Sequence, residues 1–353
     1  MGSIITGTGS YIPTIVRTNE SFDGQTYYDE GQTLIDRPTH EITKKFEEIT
    51  GIRERRYSSL DLNNSDIASV AAARAIKDAG IDVENIDHII FAHNFGDIQN
   101  QSNQTDILPA LASRVKHNLG IKNSNCIPYD LIFGCPGWVQ GVIQANTYFR
   151  AKEGTTALVI GSDMLSRILD PVDRDSLIFS DGAGACIIQD KSDEKGVLAT
   201  NTCSHTLEEV NYLFMGTSNA PDSDPNERFI KMKGRKVYEY ALKNVPTAMK
   251  DCIDKAGIEV KYIKKIFIHQ ANEKLDNGVV KRFYRLFGYK SPPENIMPMS
   301  VNELGNSSVA TVPTLLDLVL KGKMKNHKLE KGDIILLASV GAGMNINCIC
   351  YQI

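Results

Sequence analysis

Two α/β halves of similar build, packed together, are what this 353-residue chain predicts. Three observations carry that expectation. Ala79-Gly-Ile-Asp-Val-Glu-Asn-Ile86, leading into His88-Ile-Ile-Phe91, is echoed 177 residues later. There Ala256-Gly-Ile-Glu-Val-Lys-Tyr-Ile263 leads into Lys265-Ile-Phe-Ile268. Ala157-Leu-Val-Ile-Gly-Ser162 and Ile334-Ile-Leu-Leu-Ala-Ser339 keep the same separation, and two matches in register point to a duplicated unit. Helical and strand patterns also alternate, and the strands are continuous apolar runs, the pattern of a buried, largely parallel sheet with helices outside it.

The elements follow in order. Ile4 and Ile5 open a buried strand. Asp23 to Thr39 is polar, rich in Tyr, Gly and Asp, and reads as an insertion. Ser65 is placed as the cap of a helix running through Ala79, and strand Ile86 to Ala92 follows. Ile127 to Phe133 is a short apolar strand, and Trp138 to Ala151 carries Val139, Val142, Ile143, Ala145 and Phe149 at helical spacing. The polar stretch Asp190 to Gly196 reads as the turn between the halves, which divides the chain into residues 1–190 and 194–353. Ser218 to Arg228, with Pro221 and Pro225, is a loop. A helix from Gly234 to Ala256 precedes strand Ile263 to His269. Another helix starts near Asn272, and an apolar helix with Val312, Leu315, Leu316, Leu318 and Val319 follows Asn306.

Bulk properties exclude several classes. Hydrophobic residues make up 42% and charged residues 23%, as in a soluble globular protein. A formal net charge of −4 argues against a general nucleic-acid binder. No apolar stretch reaches the roughly 18 residues of a membrane span, and the N-terminus has no signal-peptide pattern. Seven cysteines without a CxxC pair fit a reducing cytoplasm. Seven histidines without ligand spacing give no metal site, and His88 and His93 read as structural. No cofactor is expected.

The chemistry centres on Cys135, in Asp130-Leu-Ile-Phe-Gly-Cys-Pro-Gly-Trp138. Gly134 and Gly137 permit a sharp strand-to-helix turn, and Pro136 fits a first helical turn. A thiol there meets a helix N-terminus, whose dipole and free N–H groups favour a thiolate nucleophile. A buried structural cysteine is the alternative. His269 ends a strand, where ligands of parallel α/β sheets gather, although it could also cap the next helix. Asn306, in Leu304-Gly-Asn-Ser-Ser-Val-Ala310, can serve chemistry or act as an N-cap. Gly341-Ala342-Gly343 follows a strand and offers backbone N–H groups for an oxyanion, or only a tight turn.

Taken together, these residues resemble the β-ketoacyl-acyl-carrier-protein synthase III family of the thiolase-like superfamily. The resemblance runs from Ile5-Thr-Gly-Thr-Gly-Ser-Tyr-Ile-Pro13 and Thr50-Gly-Ile-Arg-Glu-Arg55 through the Cys135 elbow. It continues in Gly161-Ser-Asp-Met164, Ser180-Asp-Gly-Ala-Gly184, His269-Gln-Ala-Asn272, Gly305-Asn-Ser307 and the Gly341 turn. It implies a duplicated fold in α-β-α-β-α layers, a homodimer, and a catalytic triad of Cys135, His269 and Asn306. Cys135 would take an acyl group from a thioester. Malonyl on acyl carrier protein would then lose carbon dioxide and attack the acyl-enzyme. Backbone N–H groups of Cys135 and of Gly341, Ala342 and Gly343 would hold the oxyanion. His269, neutral with Nε2–H, and Asn306 would donate to the malonyl thioester carbonyl.

Some segments depart from the family pattern. Lys45 and Ile49 stand where the family carries residues for the coenzyme A adenine, while Arg167 matches its second adenine-stacking arginine. That leaves coenzyme A and carrier protein both open as acyl donors. Cys-Pro-Gly-Trp and the 23–39 insertion resemble branches of dedicated pathways that make aryl or dialkyl products. Carrier protein is acidic, and Lys233, Arg235, Lys236, Lys274, Lys281, Arg282 and Arg285 concentrate near His269 as its dock, with Asn272 beside them; solvated helix faces are the alternative. Two rival readings remain, a non-catalytic partner subunit and a thiol hydrolase. The intact triad positions speak against the first and the duplication against the second.

Overall fold

The computed structural model describes residues 2–191 and 195–353. Its first half contains β1 (Gly2–Tyr11), β2 (Ile15–Thr18), α1 (Thr39–Thr50), β3 (Glu54–Tyr57), α2 (Asn64–Ala79), β4 (His88–Ala92), α3 (Leu111–Asn118), β5 (Ile127–Leu131), α4 (Gly137–Ala151), β6 (Thr156–Met164) and β7 (Asp181–Lys191). The second contains β8 (Gly196–Ser204), β9 (Leu213–Gly216), β10 (Phe229–Met232), α5 (Gly234–Ala256), β11 (Ile263–Ile268), α6 (Glu273–Arg285), α7 (Val301–Leu304), α8 (Thr311–Leu320), β12 (Ile334–Gly341) and β13 (Asn345–Gln352).

Nine strands join in the order β11-β12-β13-β8-β1-β7-β6-β4-β5. Outward from the β1–β8 junction, β1-β7-β6-β4 on one side is repeated as β8-β13-β12-β11 on the other. The repeat seen in the sequence therefore has a spatial counterpart. His88 lies opposite Ala157 in the parallel pair β4–β6, and Ile263 opposite Ile334 in the parallel pair β11–β12.

The sheet is not largely parallel, as the apolar runs predicted. β1–β7, β6–β7, β12–β13 and β13–β8 are antiparallel. Only a short 3-10 turn, Ala342–Met344, separates β12 from β13. A link that short joins antiparallel neighbours, whereas a parallel pair needs a long crossover. Burial on both faces gives the same continuous apolar run in either direction, so the sequence pattern did not carry the polarity.

Five layers result. Trp138, Val142 and Phe149 of α4 and Val312 and Leu315 of α8 form a central layer. They pack on Ile90, Val159 and Ile188 of one half and on Phe267, Leu337 and Ile349 of the other. α2 and α3 cover the opposite face of the first half, where Ile67, Ala71 and Leu111 meet Ile89, Phe91 and Leu158. α5 and α6 cover the second, where Val245, Met249 and Phe283 meet Ile266 and Leu336. Residues 89, 90 and 91 thus alternate between two cores at the strand period of two. Truncating a Leu in such a core to Ala costs about 2–5 kcal/mol. The central layer matters most for function, because α4 carries the elbow at its N-terminus.

Several boundaries differ from expectation. α2 is capped by Asn63, not Ser65: Asn63 and Asp66 form a capping box, with Asn63 N–H donating to Asp66 at 2.8 Å. Ser65 lies inside the first turn, where its N–H and hydroxyl both donate to Asp97, at 2.8 and 2.7 Å. β4 starts at His88 and β5 stops at Leu131. α5 spans Gly234–Ala256, as the sequence predicts. The turn expected between the halves lies partly outside the described residues. Among the described residues no helix is long and apolar enough to cross a membrane.

The two polar loops of the sequence meet each other. Asn219 Nδ2 donates to Tyr28 O at 3.0 Å, and Tyr28 N donates to Val172 O at 2.9 Å. Buried Lys231 lies at the same place. Its ammonium donates to Asp170, to Asp173 at 2.9 Å and to Asn219 Oδ1 at 2.7 Å.

Candidate active site

After β5 the chain turns at Gly134, whose φ of 69° is left-handed, and α4 begins at Gly137 with Pro136 as its N-cap. Pro136 thus sits one residue before the first turn in which the sequence placed it. The turn fits against Gly341–Gly343. A Cβ on Gly341 would come within 2.5 Å of Cys135 N, and one on Gly134 within 2.9 Å of Ala342 N. Glycine is needed on both sides because the two backbones touch. Gly343 is also left-handed, with φ 129°.

Two further segments bring their side chains to this point. His269 follows β11, and its N–H donates to Ala338 O at 2.9 Å. Asn306 is strapped by its own N–H to Ile178 O and by Ser180 N–H to its carbonyl, both at 2.9 Å. Its side-chain Oδ1 accepts from Ser308 N at 2.9 Å. The N-cap role considered from sequence is not the one found, since α8 is capped at Ala310 and the bond from Ser308 closes only a local turn; the amide NH2 is left uncommitted. Cys135, His269, Asn306 and Gly341 line one cavity of about 40 Å³ with Phe179 and Met344. The three side chains named from sequence therefore line one cavity, although Cys135 lies 134 positions before His269 and His269 lies 37 before Asn306.

Burial sets the protonation states. The Cys135 thiol is pushed up to about 11 by desolvation, which the Ser308 hydroxyl partly offsets and the Asp163 charge reinforces. The helix terminus alone therefore does not give the resting thiolate expected from sequence, because burial opposes it more strongly. Desolvation also pushes His269 down to about 4, so its imidazole is neutral at neutral pH. Its Nδ1 is buried without a hydrogen-bond partner.

A second cavity of about 690 Å³ adjoins the first and shares Met232, Val237, Ala271 and Leu275 with it. Its wall is mostly apolar, with Ile35, Ile42 and Phe46 on one side and Tyr238 on the other. Arg37, Lys45, Arg174 and Arg235 supply positive charge along it. Of these, only Arg235 stood among the docking residues read from sequence. Arg37 and Arg174 gave no signal there, because they approach the groove from the insertion and from the segment after Pro171.

The other sequence-named residues fall in varied places. Lys233, Lys236, Lys274, Lys281, Arg282 and Arg285 are exposed on or beside α5 and α6. Lys233 lies over the Phe214 ring, Arg235 pairs with Glu239 at 2.8 Å, and Arg282 donates to Leu242 O at 3.0 Å. Asn272 lines the large groove, but its Oδ1 is committed as the N-cap of α6, accepting from Leu275 N at 3.0 Å. Arg167 has partners other than a ligand: it donates to Ser59 O at 3.0 Å and Leu62 O at 3.2 Å, and it lines neither cavity.

A duplicated five-layer α/β fold with a cysteine elbow facing a histidine and an asparagine from the other half defines the thiolase-like class. The model of 3-oxoacyl-[acyl-carrier-protein] synthase III matches residues 129–206, and that of the family's C-terminal part matches residues 253–353. β-Ketoacyl-[acyl-carrier-protein] synthase III 1 of Vibrio vulnificus (strain YJ016) is 30% identical over 345 residues, 97% of either chain. The β-ketoacyl-[acyl-carrier-protein] synthase III of Staphylococcus aureus (strain Newman) is 30% identical over 341 residues, 96% of this chain and 95% of the relative. The crystal structure of β-ketoacyl-[acyl carrier protein] synthase III from Thermus thermophilus matches with a TM-score of 0.82 at 26% identity, covering 100% of this chain and 99% of that one. The chain belongs to the 3-oxoacyl-[acyl-carrier-protein] synthase III family of condensing acyltransferases.

Proposed function

We propose that this enzyme transfers an acyl group from a thioester to Cys135 and then condenses it with malonyl on acyl carrier protein, giving a 3-oxoacyl product for lipid synthesis. The observation that carries the reading is the convergence of Cys135, His269 and Asn306 in one cavity. Each group has a physical role. Cys135 is the nucleophile. Its own N–H and the backbone at Gly341, Ala342 and Gly343 hold the thioester oxyanion. The neutral His269 ring and the free Asn306 amide donate to the malonyl carbonyl, so negative charge accumulates there as carbon dioxide leaves. A protonated histidine is not required, which agrees with its depressed basicity.

No cofactor enters this scheme. Acyl carrier protein docks on the basic faces of α5 and α6, with Arg235 at the lip of the groove. Lys45 and Ile49, in place of the family's residues for the coenzyme A adenine, favour a carrier-bound primer over coenzyme A. The molecule works in the cytoplasm as a homodimer. Strand β5 ends the nine-stranded sheet with Ile127 half exposed, an edge that a second copy would cover. Residues 1–190 and 194–353 are the two halves.

A more specialised reading has one observation in its favour. The 23–39 segment contributes Ile35 and Arg37 to an apolar groove next to the site. A dedicated pathway handling bulky aryl or dialkyl chains would need such a wall. One experiment tests both readings: incubate the protein with a panel of acyl-coenzyme A and acyl-carrier thioesters, measure the mass added, then supply malonyl carrier protein and measure carbon dioxide. Absence of any adduct on Cys135 defeats the proposal. Preferred loading of bulky carrier-bound chains selects the specialised branch.

A further inference from the structure

The sulfur of Cys135 has a hydroxyl neighbour that is held from behind. Ser308 Oγ lies 3.4 Å from Cys135 Sγ and donates to it. Asn94 Nδ2 donates to the same oxygen at 3.0 Å. An amide NH2 offers protons and no lone pair, so the Ser308 oxygen must accept there. The hydroxyl's single proton is then left for the sulfur or for the Asp163 carboxylate, which it also reaches. Asn94 is fixed in turn. Its backbone N–H donates to Asp163 Oδ1 at 2.8 Å and its Nδ2 to Oδ2 at 2.6 Å.

The three residues come from separate elements. Asn94 follows β4, Asp163 lies near the end of β6, and Ser308 opens the turn before α8. Ser308 is held in a left-handed backbone, φ 53°, that non-glycine residues seldom adopt, and its N–H is bonded to Asn306. Asp163 is buried, and the other titratable group acting on it is buried His93. His93 Nδ1 accepts from Gly96 N at 3.0 Å, which requires that nitrogen to be unprotonated, and its Nε2 lies 3.1 Å from Asp130.

We propose that Ser308 is the hydrogen-bond donor that carries Cys135 through acyl transfer, with Asn94 and Asp163 as the residues that position it. The inference rests on the acyl-transfer reading above. In the step it serves, the Cys135 sulfur bonds to the thioester carbonyl carbon and the bond from that carbon to the carrier sulfur breaks. The proton that Cys135 gives up ends on the departing carrier sulfur. While the Cys135 sulfur carries charge, the hydroxyl keeps its proton directed at the sulfur rather than at Asp163. Hydrogen bonds to a charged partner are the strong ones, so the donor matters most at that stage.

Alkylation by iodoacetamide reads the thiol without any thioester. In Ser308→Ala the pH profile of alkylation moves up by about one unit, which is roughly tenfold slower reaction on the rising limb and about 1.4 kcal/mol. Asn94→Leu shifts the profile in the same direction by less, and provides the reading if the serine variant does not fold. Once acylated, Ser308→Ala loses less in carbon dioxide release from malonyl carrier protein than it loses in acylation, because its backbone N–H still holds Asn306. An unshifted profile in both variants overturns the proposal. So does equal loss of both half-reactions, which would make Ser308 a purely structural residue. Failure of the condensing reading would appear separately, as no carbon dioxide from the wild type with its alkylation profile intact.

Discussion

Two buried polar groups of this molecule are built on opposite terms. At Lys231, every charge finds a partner: the ammonium meets two carboxylates and an amide oxygen, and Asp170 also accepts from the Ser218 hydroxyl at 2.9 Å and Asn219 N at 2.7 Å. At Cys135 the groups are neutral and under-partnered. The thiol is pushed up, the imidazole is pushed down, and His269 Nδ1 has no hydrogen-bond partner. The first arrangement holds chain segments together. In the proposed reaction the second keeps donors and a nucleophile in reserve for a substrate that brings charge with it. Buried polarity by itself therefore does not mark a site.

That contrast can be broken at either end. The largest effect is expected from Cys135→Ala, which should abolish the acyl adduct in intact-protein mass spectrometry while leaving the melting temperature near wild type. Labelling that persists in the mutant would contradict the assignment. Next comes Lys231→Met, which strands two carboxylates and should cost about 3–5 kcal/mol of stability in denaturant unfolding. A change below 1 kcal/mol would show that the cluster does not hold the loops. His269→Ala or Asn306→Ala should still acylate but lose roughly 100- to 1,000-fold in carbon dioxide release, the usual consequence of removing one such donor. Wild-type release would remove them from the mechanism.

The pH dependence is smaller but has a definite sign. The folded His269 holds its proton only below about 4, against 6.5 for an ordinary histidine. Below 6.5 the unfolded chain takes up a proton that the fold refuses. The contribution of this residue to stability is thus full above 6.5 and is lost as pH falls towards 4. Decarboxylation by the acylated enzyme should stay flat down to about pH 5 and fall near 4, in a stopped-assay profile. The smallest effect belongs to the rim. Arg235→Glu should raise KM for malonyl carrier protein roughly threefold at low salt, and leave a small free thioester unaffected.

Much of the site was readable because its pieces are local. The elbow announces itself in Gly134-Cys-Pro-Gly137, and the duplication in segments 177 residues apart. α5 and the start of α6 near Asn272 were also legible, since helix period and capping act over one or two turns. What stayed hidden depends on long-range pairing. Ser308 reaches a sulfur 173 positions away, and Lys231 reaches Asp170 across 61. Neither distance leaves a pattern in the chain. The carbonyl partners of Arg167, Ser59 and Leu62, were hidden for a related reason, because a motif position does not say which carbonyls a guanidinium will find. Strand polarity was lost because both faces of the sheet are covered.

The segment Asp23–Thr39 is fastened at places remote from the elbow: at Tyr28 to Val172 and Asn219, and through Gln25 to Pro171 at 2.8 Å. Its contributions to the groove, Ile35 and Arg37, hang between that fastening and the start of α1. Exchange of these two side chains leaves the glycine-lined contact at position 135 untouched. If the groove admits the acyl chain as proposed, the chain separates what it admits from what it does to it, and selection can re-tailor the doorway while the chemistry behind it is inherited unchanged.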